Sequence, residues 1–378
     1  MKILHMADTH LGYSAYRTIT NEGSNQREID IYDAFIQCID YAIKTKPDLI
    51  LHAGDLFDSV RPSNRAITVA IQQLLRVSQK KIPFIIISGN HETPRLKETG
   101  NIFHIFNHLD NIYPIFNNAY ETLSLDINQE KFTLHGIPHC QTKEDFKRNL
   151  KKIKIHHRDD FNIFIAHGAV TGIKEFKMNE LNELLIPTRI LQKEFDYIAL
   201  GHYHTYTQLE ENAFYSGSTE HLSFAESSDT KGFLEVEYRR NLHTKFIPIS
   251  TRPMINVPSI DCRKLSIQQV MEKIEQQIES IHPQNKIVRI QLHEIPLQVY
   301  RRIEHNKIRK QCKGAVHFEI KADIFKESEQ NFSENARIES IASEFVKFIQ
   351  KKNPKNKKLL QQLGLEYIYK IETQQEEL

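Results

Sequence analysis

Five short polar motifs, each set directly behind an apolar run, constrain this chain more than any other feature. They are Asp8-Thr9-His10, Gly54-Asp55, Gly89-Asn90-His91-Glu92, His167-Gly168 and Gly201-His202-Tyr203-His204. The runs before them cover residues 2–7, 49–53, 83–87, 161–166 and 197–200. They have the length of buried strands and are rich in aliphatic and aromatic residues. In open parallel sheets a site forms at the carboxyl ends of the strands, which is where these motifs fall.

The segments between the runs predict an α/β order. Ile29, Tyr32, Phe35, Ile36, Ile39, Ala42 and Ile43 recur at helical spacing over residues 29–43. Ser63 is placed to cap a helix running to about residue 78, with Ile67, Ile71, Leu74 and Leu75 on one face. Residues 213–249 carry short strands broken at Gly217 and Gly232, and Arg252-Pro253 and Pro258 mark a boundary. Beyond it the pattern predicts a helix over 266–281, a strand over 287–293, a basic helix over 297–312 and a strand over 315–320. A polar stretch (326–334), a helix (335–351), a lysine-rich turn and a last helix (359–373) follow. For 378 residues two or three domains are expected. The divisions fall at 1–252, a small α+β unit at 253–332 and a helical pair at 333–378.

Composition narrows the setting. The 50 basic and 48 acidic residues leave a net charge of +2, which neither demands nor excludes nucleic acid. Cys38, Cys140, Cys262 and Cys312 form no C-x-x-C pair and read as free thiols of a reducing cytosol. The opening apolar run is too short for a secretory signal, and the longest aliphatic stretch, 82–87, is strand-sized and holds Pro83. No membrane span is expected.

Together the motifs offer two Asp, one Asn and four His as ligands, with one further His left over. That is enough for two metal ions sharing a carboxylate, the usual apparatus for hydrolysing phosphate esters. Asp8 and His10 on one turn can grip one ion, and His202 and His204 have the same spacing. Asp55 stands alone behind its strand, as a bridging carboxylate does. The amide oxygen of Asn90 suits Mn²⁺ or Mg²⁺, and no Cys is among the candidates. His5, His52 and His135 lie within apolar stretches and are read as core residues.

These motifs resemble the calcineurin-like metallophosphoesterases. More narrowly, three stretches are similar to the double-strand-break repair nucleases called SbcD in bacteria and meiotic-recombination-eleven in archaea and eukaryotes. They are residues 7–13 (Ala-Asp-Thr-His-Leu-Gly-Tyr), Gly54-Asp55-Leu56-Phe57 with Arg61-Pro62-Ser63, and Gly89-Asn90-His91-Glu92. The match is motif-specific over about the first 220 residues and architectural beyond. It implies a two-sheet sandwich flanked by helices, a small α+β capping domain and a C-terminal helical pair. It implies two Mn²⁺ per chain, Mg²⁺ being the other candidate. Asp8, His10, Asp55 and His204 would hold one ion, and Asp55, Asn90, His167 and His202 the other. His91 resembles the family's catalytic histidine. Asp58 departs from the His or Asn that many archaeal and eukaryotic members carry, which puts any histidine-specific role there in doubt.

Three substrate readings compete: a DNA nuclease, a phosphodiesterase or phosphatase acting on a non-DNA substrate, and a scaffold with a vestigial site. No ligand is missing, which disfavours the scaffold. Gly54-Asp55-Leu56-Phe57-Asp58-Ser59-Val60 lacks the arginine that protein phosphatases of this superfamily carry. The stretch Arg301, Arg302, Lys307, Arg309, Lys310 and Lys313, with Glu304 its only acid, suits phosphate-backbone contacts without base readout. A solvated charged face accounts for it equally well. Tyr13 and Arg61 are further candidate DNA contacts. Nuclease action is expected as exonuclease on duplex ends and endonuclease on single strands or hairpins. Ile338, Ile341, Phe345 and Phe348, and Leu360, Leu363, Tyr367 and Ile371, form apolar stripes. Two amphipathic helices can bury such stripes on each other or on the body. The resemblance implies that they grip an SbcC-type ABC ATPase, through Phe345, Phe348, Leu363 and Tyr367. It also implies a homodimer through helices matching 63–78 and 101–109, and a cytoplasmic, nucleoid-associated enzyme.

Overall fold

The structure, a computed structural model, describes residues 1–127, 130–156, 160–172, 183–191, 194–325, 341–352 and 356–376. Met1–Ile324 and Phe325–Leu378 are two compact units. The first opens with β1 (Lys2–Met6), α1 (Gln26–Thr45), β2 (Leu49–His52), α2 (Asn64–Gln79), β3 (Phe84–Ile87) and β4 (Ile112–Ile115). Then come β5 (Glu121–Ile127), β6 (Glu130–Ile137), α3 (Lys143–Lys152), β7 (Phe161–His167), β8 (Ala169–Val170), β9 (Leu185–Ile186), β10 (Tyr197–Gly201), β11 (Thr207–Glu210) and β12 (Ala213–Tyr215). β13 (Gly232–Tyr238) and β14 (Leu242–Pro248) close this part. One six-stranded sheet has the order β14-β13-β1-β2-β3-β4 and a second the order β11-β12-β10-β7-β6-β5. The strands that end in the polar motifs pair in parallel, β1 with β2, β2 with β3, and β7 with β10. All the motifs therefore emerge at carboxyl ends.

The two-period of a strand explains the layering. Ile3 and Ala7, Leu49, Leu51 and Ala53, and Ile85 and Ile87 point one way. They meet Leu134, Ile163, Ile165, Ala199 and Phe214 of the second sheet. Leu4, Met6, Ile50, Phe84 and Ile86 point the other way, onto α1 and α2 through Phe35, Ile39, Leu74 and Val77. The outer face of the second sheet is covered by α3, with Phe146 and Leu150 against Phe164 and Ile198. The expected two-sheet sandwich flanked by helices is what forms.

Residues 254–325 add β15 (Met254–Asn256), β16 (Ile260–Asp261), α4 (Ile267–Ile281), β17 (Ile287–Pro296), α5 (Leu297–Tyr300), α6 (His305–Gln311) and β18 (His317–Phe325). Their four-stranded sheet has its own core of Val270, Ile274, Ile290, Leu292, Ile303 and Ile308. Arg252 ties this portion to the sandwich. Its Nε and Nη2 donate to the two oxygens of Asp30, each at 2.6 Å, and its Nη1 donates to the carbonyl of Asn285 at 2.8 Å.

Two sequence expectations need correction. α1 begins three residues earlier than its apolar spacing indicates. The Asn25 side chain accepts from Arg27 N (2.9 Å) and Glu28 N (3.4 Å), so the cap and not the apolar face sets the start. The basic helix over 297–312 is broken: α5 ends at Tyr300 and α6 starts at His305. Ile303 and Ile308 both enter the core, although five residues along a helix turn the chain by about 140°. The break lets both point inward, and it leaves Arg301 and Arg302 exposed in the turn. Ser63 caps α2 as expected, accepting from Ala66 N. Residues 102–108 form a 3₁₀ helix whose Phe103 and Phe106 are buried, in keeping with its three-residue period.

In the second unit, α7 (Ile341–Lys352) and α8 (Lys357–Glu376) pack on each other. The ring of Phe345 lies directly against Gly364, and Ala342 and Ile349 are buried. Phe348, Leu363 and Tyr367 are 56%, 45% and 68% exposed, so only part of the expected stripe is used within the pair. Ile338 and the start of the helix over 335–351 lie outside the described residues. Among the described residues no helix is long and apolar enough to cross a membrane.

Candidate metal centre

The turn after β1 and the turn after β2 are hydrogen-bonded to each other. Asp8 N donates to Gly54 O (3.0 Å), His10 N to Asp55 O (3.0 Å) and Leu11 N to Leu56 O (2.7 Å). The turn after β10 joins them, His202 N donating to both oxygens of Asp8 at 3.0 Å. Asp8, His10, Asp55 and His202 take φ values of 53°, 48°, 55° and 101°. Left-handed backbone at non-glycine residues costs on the order of 1–3 kcal/mol each and concentrates at functional sites.

These turns bring the predicted ligands together. Ligand atoms of Asp8, His10 and His204 lie within 4.8 Å of one another, as do those of Asp8, Asp55 and His167. Asp55 Oδ2 is 3.3 Å from His167 Nε2 and 3.8 Å from His10 Nε2, so one oxygen faces both groups. Asn90 Oδ1 completes the second group, 2.9 Å from His167 Nε2 and 3.2 Å from His202 Nδ1. His167 Nδ1 donates to Ala53 O at 2.8 Å, which leaves Nε2 for the centre. Two glycines are dictated by these approaches. A Cβ on Gly54 would lie 2.4 Å from the His167 ring, and one on Gly89 would lie 2.1 Å from Asp55 Oδ1.

The site is electrostatically built for positive charge. Burial alone would raise the Asp55 carboxyl, but His167, His10 and His91 hold it well below the usual carboxylate range. Burial lowers His167, yet Asp55 and Asp8 outweigh it and raise its pKa to about 10. Carboxylates that hold a proton so firmly would hold a cation in the same place. Burial, aided by the charge of His167, pulls His202 down to about 3 and keeps a neutral ring with a lone pair. His10 Nε2, which faces Asp55 Oδ2 at 3.8 Å, is buried without a hydrogen bond. An unsatisfied buried nitrogen costs about 1–3 kcal/mol, and a divalent cation between these oxygens and imidazoles removes that cost. The residues present fit divalent metal binding.

His91 stands at the rim, its side chain 34% exposed. Its backbone N donates to Asp55 Oδ1 (3.0 Å) and its Nδ1 to the carbonyl of Asp58 (2.8 Å). An atom of its ring also comes within 4.8 Å of His10 and Asp55 ligand atoms. The Asp58 carboxylate lies 3.2 Å from His10 Nδ1 and 3.7 Å from His91 Nδ1, a neighbour of both histidines. The three histidines read as core are core: His5 meets Tyr197 OH (2.8 Å), His52 meets Thr9 Oγ1 (3.1 Å) and His135 meets Tyr120 OH (2.7 Å).

The candidate DNA contacts are not among the grouped ligands. Tyr13 is half-buried and its hydroxyl donates to Leu222 O at 2.7 Å. Arg61, Arg301 and Arg302 are exposed. Sequence reasoning missed Glu226, whose Oε1 is 3.3 Å from His204 Nδ1, and Glu183, 3.5 Å from His202 Nε2. It also missed His139, which with Asn90, His167, Glu183 and His202 lines a cavity of about 20 Å³. His139 had a signal: it closely follows the strand-like run 132–137, as the ligands follow theirs.

Residues 1–206 match the family model described as calcineurin-like phosphoesterase. Several archaeal proteins named "DNA double-strand break repair protein Mre11" are similar to the chain. That of Methanococcus maripaludis is 31% identical over 61% of this chain and 60% of its own length. Those of Saccharolobus solfataricus (33%, over 56% of this chain and 51% of its own) and Sulfolobus acidocaldarius (31%, 74% and 69%) agree. The chain thus spans roughly half to two thirds of the length of these relatives. With more than half of its residues matched by the family model, the chain belongs to the calcineurin-like phosphoesterases, the metal-dependent hydrolases of phosphate esters.

Proposed function

We propose that the chain is a manganese-dependent DNA nuclease that processes double-strand breaks, exonuclease on duplex ends and endonuclease on single strands or hairpins. The observation that carries this reading is the complete donor set meeting around Asp55 with His91 at its rim. The names of the archaeal relatives support DNA as the substrate. Asp8, His10, Asp55 and His204 would hold one ion, and Asp55, Asn90, His167 and His202 the other. Carboxylate, imidazole and amide donors with no thiolate suit Mn²⁺, and Mg²⁺ next. When bound, such a pair supplies Lewis acidity and a nucleophilic water at neutral pH.

The remaining steps belong to the chain. Asp55 keeps the two ligand groups in register. His91, fixed through its backbone N on Asp55 and its Nδ1 on Asp58, keeps Nε2 for the phosphodiester and the proton of its leaving oxygen. Asp58 takes the place of a histidine or asparagine beside it, as a carboxylate close to both His10 and His91. Exposed Arg61, Arg301 and Arg302 supply non-sequence-specific phosphate contacts, with Tyr13 as a further DNA-side residue. Lys307 is already paired with Glu275 at 2.7 Å and contributes less.

Residues 1–252 are then the nuclease domain, 253–332 the DNA cap, and 333–378 the docking element for an SbcC-type ABC ATPase. Exposed Phe348, Leu363 and Tyr367 would meet the partner, with Phe345 bracing them from within the helical pair. A second copy joins through α2 and the 102–108 helix, and the assembly works at the nucleoid. The test is cleavage of labelled duplex, hairpin and single-stranded DNA with Mn²⁺ or Mg²⁺, beside bis-p-nitrophenyl phosphate. Hydrolysis of the small ester with no DNA cleavage under any metal would refute the nuclease and leave a phosphodiesterase of other substrate.

A further inference from the structure

The geometry points to Glu226, braced by the buried Lys231, as the positioning residue that orients His204 toward the metal centre. This rests on the metal-centre reading and goes one layer behind it. Glu226 and Lys231 lie outside the residues matched by the family model.

His204 Nδ1 is 3.3 Å from Glu226 Oε1. With Nδ1–H donating there, Nε2 keeps its lone pair for an ion, the arrangement by which a carboxylate fixes the tautomer of a ligating histidine. Glu226 is itself locked. Its Oε1 also accepts from Ser223 Oγ (3.1 Å), and its Oε2 accepts from Leu222 N (3.3 Å) and from Lys231 Nζ (2.7 Å). A carboxylate has about four acceptor positions, and each has a donor here. Lys231 is as completely engaged. Its side chain is 1% exposed, and its three ammonium protons meet Glu226 Oε2, Ser218 Oγ (3.0 Å) and the backbone carbonyl of His204 (2.9 Å). The lysine therefore grips the histidine's backbone while the glutamate grips its ring. A lysine is almost never fully buried without such pairing. This one, with Ser218 and Asp229 also about it, is placed to hold one metal ligand at its backbone and, through Glu226, at its ring.

The test is metal binding by the full chain, without substrate. Apoprotein is titrated with MnCl₂ and read by calorimetry and by the electron paramagnetic resonance signal of free Mn²⁺. The variants are Glu226→Gln, and Glu226→Gln with Lys231→Met, the double change removing both charges with little loss of volume. The parent should bind two Mn²⁺. In both variants one of the two should bind roughly 10- to 100-fold more weakly, as loss of such a supporting carboxylate does elsewhere. The other should stay within about twofold. The double variant keeps the test open if Glu226→Gln alone fails to fold, because it leaves no unpaired buried charge. Two parent-like affinities in a folded double variant would overturn the positioning role alone. A parent that binds no Mn²⁺ would instead overturn the metal centre. An equal loss at both sites, with a lower apoprotein melting temperature, would mark the pair as a general scaffold and also overturn the proposal.

Discussion

Gly89→Ala tests the centre through one methyl group. A Cβ at residue 89 would lie 2.1 Å from Asp55 Oδ1, 2.5 Å from Asp55 N and 2.7 Å from Asp55 Cγ. The nearest of these is well over 1 Å short of ordinary contact, and one of the three is backbone, so rotation of the carboxylate cannot relieve it all. Asp55 must retreat, and with it the oxygen that faces both His10 and His167. Overpacking of this kind costs about 1–3 kcal/mol, so the apoprotein should melt a few degrees lower. The larger effect is on metal. At Mn²⁺ equal to about 100 times the parent's dissociation constant, binding stabilises the parent by about 2.7 kcal/mol. If the displaced carboxylate weakens binding by about 100-fold, the same Mn²⁺ adds only about 0.4 kcal/mol. At roughly 2–4 °C per kcal/mol, a rise of about 5–10 °C should shrink to about 1 °C. Melting curves with EDTA and with Mn²⁺ read this directly. A displacement of about 1 Å should also lower phosphodiester cleavage by about 100-fold. A variant whose melting temperature rises on Mn²⁺ as the parent's does would refute the reasoning.

Asp55→Ala should abolish hydrolysis of DNA and of bis-p-nitrophenyl phosphate with either metal, and Mn²⁺ titration should show at most one bound ion; two would sink the bridging role. His91→Ser should keep both ions and lose most DNA cleavage, about 100-fold or more, whereas loss of an ion would make His91 a ligand. Removing residues 326–378 should leave Mn²⁺-dependent cleavage of bis-p-nitrophenyl phosphate intact, because Met1–Ile324 is compact by itself, and should abolish capture of the ATPase. Unfolding of the truncated chain would refute that. Burial lowers His5 and His52 to about 3 from an unfolded value near 6.5, so their share of stability is full above pH 6.5 and falls as pH drops toward 3. Urea unfolding in EDTA should lose up to about 1.4 kcal/mol per pH unit for each histidine across pH 6 to 4.5. A flat profile would show that these rings are protonated in the fold.

The clustering of the candidate ligands was legible because strand and motif are neighbours in sequence. Apolar residues 49–53 fix where Asp55 emerges, and residues 197–200 do the same for His202. Parallel pairing within each sheet, and the packing of the two sheets on each other, then bring distant motifs to one edge. The break at Arg301–Glu304 was not legible. Charge patterning marks what faces water, while the kink is set by Ile303 and Ile308 sharing one core. Phe345 shows the same limit. Its spacing marks a stripe, but only the fold shows that its ring is spent on Gly364. The Glu226–Lys231 pair was hidden for a different reason. It lies more than twenty residues beyond the ligand it supports, in a stretch with no apolar period to anchor a reading.

The left-handed turns explain how these ligands keep their places. Asp8, His10, Asp55 and His202 all hold positive φ, at a combined cost of several kcal/mol. Hydrogen bonds tie the turns to one another, Asp8 N to Gly54 O and His10 N to Asp55 O along the backbone, and His202 N to the Asp8 carboxylate. The two backbone bonds extend the ladder past the ends of β1 and β2, so the sandwich core beneath them stabilises the strained geometry. Bulk at the crowded points is excluded by Gly54 and Gly89, which pass within side-chain contact of His167 and Asp55. A site organised this way has its ordering done by the fold. The free energy of metal binding then goes into affinity and into holding the phosphodiester, and little of it into assembling the ligands.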